Sequence, residues 1–104
     1  MTEEGKVYVI FNEMYGFYGP DVYKIGRTRD MDGRISGYCT PYIEPSEIMH
    51  LTDLVDDAPL LETVVFQKLN YCRMKDDREF FCEKIDVIKK IINETVSYVK
   101  YVST

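Results

Sequence analysis

The chain is poor in three things: paired cysteines, net positive charge and long apolar runs. Cys39, Cys72 and Cys82 are odd in number and show no paired spacing, so they read as reduced thiols, two of them buried, rather than a disulfide framework. Taken with His50, the only histidine, their spacing fits no zinc pattern. No apolar run approaches the roughly 20 residues of a membrane span, and the N-terminus lacks the pattern of a secretory signal. These absences point to a soluble, intracellular protein and name no compartment. Repeats, low-complexity tracts and linkers are also lacking, and 104 residues allow one compact unit, so residues 1–104 read as a single domain. A net charge of −5 argues against a protein that coats nucleic acid through bulk charge. It leaves open a protein whose contact with phosphate is local.

What is present suffices for a modest core, since 45% of residues are hydrophobic and 13% aromatic. Two strand-like runs come first, Lys6 to Phe11 and Asp21 to Gly26, both rich in β-branched and aromatic residues. Asn12, Gly16, Gly19, Pro20 and Asp21 lie between them, so the pair reads as an antiparallel hairpin with a long tip. Tyr15, Phe17 and Tyr18 on that tip suit either stacking on bases or folding back as a lid. Asp30 is a cap for a short helix from Met31 to about Cys39, weakened by Gly33 and Gly37 and ended at Thr40-Pro41. Ile48 to Val55 reads as a third strand. The clearest helix is capped by Asp56 or Asp57, carries Pro59 in its first turn and runs to about Arg73, with Leu61, Val65, Leu69 and Cys72 on one face. After an extended piece at Phe80-Phe81, a last helix runs from Glu83 to Tyr101 on a stripe of Ile85, Ile88, Ile92, Val96 and Val99. This order predicts an α+β domain: a small three-stranded antiparallel sheet flanked by about three helices. Basic residues gather locally, with Lys24, Arg27, Arg29 and Arg34 inside eleven residues.

Tyr8 in Val7-Tyr8-Val9, and the triplet Lys24-Ile25-Gly26, resemble the two halves of the GIY-YIG nuclease signature. The longer string Tyr23-Lys24-Ile25-Gly26-Arg27-Thr28 is closer to a small branch of that superfamily found in phages and large DNA viruses. Arg34, Leu61-Glu62 and Arg78-Glu79-Phe80-Phe81 follow in the same order, so the resemblance spans about Lys6 to Phe81. It implies the same α+β architecture and a DNA endonuclease dependent on a single Mg²⁺ or Mn²⁺. Tyr8 would act as general base or orient the water, Tyr23 would position the phosphate, and Arg34 with Lys24 would stabilise its charge. Glu62 would hold the metal; Arg27 and Arg29 read either as contacts to the DNA backbone or as ordinary surface charges. A phenol with a free pKa near 10 is a poor base unless cations favour the phenolate. Two departures stand out. Val7 occupies the place of a glycine in the first triplet, and Phe66 stands four residues after Glu62, where the branch often has histidine. His50 would have to rescue that role, or is simply a satisfied strand residue. Glu79 would support Arg34 from behind or form a structural ion pair. Each residue also has a plain structural reading: Tyr8 and Tyr23 as half-buried strand tyrosines, Arg34 as a solvated helix arginine, and Glu62 as a helix N-terminal acid favoured by the macrodipole. The alternative function is a catalytically inactive module of the same fold that binds nucleic acid or a protein of a repair or restriction system. One site cuts one strand at a time, so duplex cleavage would call for two visits or a homodimer.

Overall fold

The computed structural model describes residues 3–29, 47–74 and 79–103. Four strands form one antiparallel sheet: β1 (Lys6–Phe11), β2 (Val22–Thr28), β3 (Glu47–Leu51) and β4 (Phe80–Cys82), in the order β3-β1-β2-β4. Among the described residues two α-helices, α1 (Ala58–Lys68) and α2 (Ile85–Ser103), accompany it, so the fold is α+β as expected. The sheet has one strand more than the three expected. The Phe80-Phe81 piece pairs with β2, Tyr23 lying opposite Phe81 and Lys24 opposite Phe80. Three residues are too few for a period of two to declare itself in sequence, and this pairing is long-range. The helix expected over Met31–Cys39 lies outside the described residues, as do Arg34 and Cys39.

β1 and β2 form the hairpin, with Val7 opposite Arg27, Tyr8 opposite Gly26, Val9 opposite Ile25 and Ile10 opposite Lys24. Its tip is an ordered 3₁₀ turn, Glu13–Tyr18, capped by Asn12, whose Oδ1 accepts from the Met14 N–H at 2.9 Å. β3 ends at Leu51, short of the expected Val55. There Thr52 inserts its side chain into the ladder: the Val7 N–H donates to Thr52 Oγ1 at 2.9 Å, and the Thr52 N–H to the Val7 carbonyl at 3.0 Å. Pairing resumes at a single bridge between Gly5 and Val55. A β-branched polar residue reads as strand in sequence; its hydroxyl can nonetheless replace a ladder partner.

α1 starts where Asp57 caps it, accepting from the Leu60 N–H at 3.2 Å, with Pro59 in the first turn. It stops at Lys68, earlier than expected, and a 3₁₀ turn over Asn70–Cys72 completes the segment. Leu61, Val65 and Leu69 of this segment meet Ile88, Ile92 and Val99 of α2 and Val7, Val9, Ile25 and Phe81 of the sheet in one buried cluster. Each such side chain contributes roughly 1.5–3 kcal/mol by leaving water. Two of the three thiols are expected to be buried; Cys72 is half-buried, Cys82 is exposed, and Cys39 lies outside the described residues. Among the described residues no helix is long and apolar enough to cross a membrane.

Candidate functional site

Strand alternation sorts the hairpin side chains between two faces. Val7, Val9, Tyr23, Ile25 and Arg27 turn toward the helices; the first four are buried there and Arg27 is paired with Glu62. Tyr8, Ile10, Val22, Lys24 and Gly26 occupy the opposite face. The expected convergence of Tyr8 and Tyr23 on one phosphate therefore does not form. The reason is parity: Tyr23 and Lys24 are adjacent in a strand, so only one of them can share the face of Tyr8, and the register gives that place to Lys24.

Tyr8 is fully buried. Its ring lies across Gly26, where a β-carbon would meet the Tyr8 hydroxyl oxygen and stand 2.6 Å from its Cζ. The glycine of the second signature triplet thus makes room for the tyrosine of the first. Lys24 lies on the same face, half-buried, with Nζ 3.9 Å from Glu79 Oε2 and 5.8 Å from the centre of the Phe80 ring. Glu79 is thereby placed beside Lys24; its relation to Arg34 falls outside the described residues.

Tyr23 sits among acids. Burial pushes its phenol up first, and the charges of Asp21, Asp86 and Glu47 push it further. Such surroundings hold a neutral hydroxyl and oppose both a phenolate and a phosphate. Phe11 packs on it at 5.9 Å between ring centres. Its setting is that of a core tyrosine with a polar rim.

The other end of β2 joins two residues 35 positions apart: Arg27 Nη1 donates to Glu62 Oε1 at 3.1 Å. Glu62 is mostly buried, its side chain 15% exposed, whereas that of Arg27 is 39% exposed. Register brings Arg27 to the helix face, and the position of Glu62 beside Leu61 turns its carboxylate toward the sheet. Arg27 of the pair, though not Glu62, helps line a cleft of about 210 Å³ together with Glu3, Glu4, Gly5, Thr28, Arg29 and Ala58. Across it Arg29 Nη2 reaches Glu4 Oε1 at 3.4 Å, an exposed pair of small energetic weight.

Among the described residues no group of three or more His, Cys, Asp or Glu side chains gathers to hold a metal ion. Glu62 offers one carboxylate, and its Oε1 already accepts from a guanidinium. That donor set fits a cation such as Mg²⁺, which keeps several waters and takes further oxygens from a phosphate. It does not fit a closed cage such as structural zinc requires.

Phe66, one turn after Glu62, packs tilted against Phe81 with ring centres 5.0 Å apart, and the Arg73 guanidinium lies 5.0 Å from the centre of its ring. His50 is held on β3, where its Nε2–H donates to Asn93 Oδ1 at 3.2 Å. It is a partnered strand histidine on the described geometry. The sequence marks Arg27 and Glu62 separately and does not join them. The signal that existed was weak: Arg27 follows Gly26 in the strand, and Glu62 borders the apolar face of its helix. The Arg73–Phe66 contact had no signal at all.

No curated protein and no solved structure matches the chain. The T5orf172 domain family matches residues 5–96, nearly the whole fold from the Gly5 bridge to the middle of α2. By that match the chain belongs to the T5orf172 domain family.

Proposed function

We propose that this domain is a GIY-YIG-like DNA endonuclease whose working end is the Arg27–Glu62 pair. The observation that carries the reading is the 3.1 Å contact between a helix glutamate and a strand arginine that lines a cleft. In the resting domain each charge compensates the other. With a divalent cation present the two would exchange partners: Glu62 would hold the cation and the Arg27 guanidinium would take a DNA phosphate. Every charge stays paired through that exchange, so the partly buried carboxylate is never left bare.

Glu62 would hold Mg²⁺ or Mn²⁺, and the bound cation would relieve charge on the leaving oxygen. Arg27 would grip a non-bridging oxygen pair with its planar fork, and Arg29, exposed on the same cleft, would follow the backbone. Arg34 is proposed as a second phosphate clamp, and Lys24 as a charge on the Tyr8 face. Tyr8 is proposed to orient water or accept its proton. Tyr23 takes a structural role in this reading, because the acids around it repel a phosphate. With Phe66 in the place of a histidine, no imidazole assists the leaving group from α1. A single site nicks one strand, so duplex cleavage would take two visits or a homodimer.

The second reading is a non-catalytic binding module of the same family. It is favoured by the complete burial of Tyr8, since a general base must meet water. Nicking of supercoiled plasmid in Mn²⁺ separates the two. The nuclease reading expects nicking by wild type and its loss in Glu62→Ala, Arg34→Ala and Tyr8→Phe. If clean wild type leaves plasmid and branched DNA intact yet retards them on a gel, the binding module stands instead.

A further inference from the structure

The tip between β1 and β2 carries three large apolar side chains in water: Phe17 is 89% exposed, Tyr18 57% and Met14 46%. They project from a six-residue 3₁₀ turn that buries none of its own residues. A flexible loop would hide such groups; this one is held outward. The Asn12 cap fixes its start, and its end is fixed by Gly19, which has φ +123° and donates its N–H to the Gly16 carbonyl at 3.1 Å. Tyr15 meets the Phe80 ring edge-on at 5.1 Å, and Tyr18 lies 5.4 Å from the same ring. The Glu83 N–H ties Asp21 to β4 at 3.0 Å. Apolar groups fixed in place lose little freedom on binding, which is the property of a docking surface.

The charges around the tip choose its occupant. Glu13 and Asp21 are exposed on it, and no lysine or arginine lies between Asn12 and Asp21. Glu47, opposite Phe11, and Asp86, in the first turn of α2, are exposed at the same end. Lys84 offsets part of this, and Lys24 is already beside Glu79. A nucleic acid meets repulsion here, and so does a second copy that would present the same acids. Cationic side chains meet carboxylates and the faces of Phe17 and Tyr18, an arrangement that favours guanidinium and ammonium groups. The Arg27–Glu62 pair lies about five residues along β2 from Val22, roughly 17 Å away.

We infer that the aromatic tip is the docking surface for a basic, apolar peptide segment of a partner protein, distinct from the Arg27–Glu62 end. The test is selection of a random phage-displayed peptide library on the full chain, then fluorescence anisotropy of the enriched peptides. The expected peptides combine Arg or Lys with aliphatic or aromatic residues. They bind Phe17→Ala about tenfold more weakly than wild type, as loss of an anchoring aromatic demands. Binding also weakens in Glu13→Lys and in Asp21→Asn, which suits the φ of +55° at that position. It is unchanged in Arg27→Ala, so this result stands or falls apart from the nuclease reading. Failure to enrich peptides, acidic consensus sequences, or equal binding to Phe17→Ala would overturn the inference. So would self-association, or oligothymidine binding, that Phe17→Ala abolishes: the first would assign the tip to a second copy and the second to nucleic acid.

Discussion

The two ends of one hairpin are built on opposite principles. At the Arg27 end, charges of opposite sign are joined across 35 residues and half-withdrawn from water. At the tip, aromatic rings stand in water among acids, held by hydrogen bonds of their own backbone. The same hairpin carries both, one on its strand ladder and the other on the capped 3₁₀ turn that closes it. The difference teaches that net charge misleads for this molecule. The overall −5 describes neither end: Arg27 and Arg29 are matched by Glu62 and Glu4 at one, while the tip holds Glu13 and Asp21 with no lysine or arginine between Asn12 and Asp21.

The hairpin itself is where the comparison breaks most completely. Gly26→Val forces a side chain into the Tyr8 ring and wedges β1 from β2, at a cost of about 3 kcal/mol. Chemical denaturation should show a lower midpoint with an unchanged slope. Adding Tyr8→Val should recover much of the loss, because it empties the same space; additive effects would contradict the contact. Next in size is activity. Glu62→Ala should lower Mn²⁺-dependent nicking by about 100-fold, the scale of losing a charge-stabilising group, while Phe17→Ala leaves it unchanged. Equal loss in both variants would erase the distinction between the ends.

Smaller is the ion pair's share of stability. Arg27 is more than a third exposed, so screening holds the pair to about 1 kcal/mol. Thermal unfolding of Arg27→Ala, Glu62→Ala and the double variant should be non-additive, since removing either residue already breaks the pair. Smallest is an alkaline effect from the tip end. The Tyr23 phenol is raised above its ordinary value in the folded chain, so the folded state keeps a proton that the unfolded state releases. The stability this contributes is present below about pH 10 and is lost as pH rises through the higher folded value. Tyr71, pushed up to about 12 by its hydrogen bond to Glu83, adds to the same window. Tyr23→Phe should therefore flatten the fall in stability above pH 10, measured by urea unfolding across that range. An unchanged profile would remove the acids from the account of Tyr23.

Most of the fold was legible because local patterns carried it. β1 has the expected bounds, and the apolar stripes of α1 and α2 mark the buried faces. What failed was long-range. Three residues cannot announce β4, and a threonine that looks like strand instead lends its hydroxyl to the ladder. The site was half legible. Tyr8, Lys24, Arg27 and Glu62 were each singled out in sequence, but their grouping depends on register, which a structured tip sets. One step of parity separates Tyr23 from Lys24 and decides which of them faces with Tyr8. The Arg27–Glu62 contact bridges a strand end and a helix flank, and no spacing rule links those.

Exchange of partners at that contact is the central claim, and Mn²⁺ binding tests it most directly. Electron paramagnetic resonance can count bound Mn²⁺ for wild type and Glu62→Ala, with and without a short phosphorothioate duplex that resists hydrolysis. The account predicts that, with the duplex present, wild type binds one more ion than Glu62→Ala, and that the two are alike without it. Identical counts in the presence of the duplex, or tight Mn²⁺ binding at Glu62 without it, would contradict the exchange.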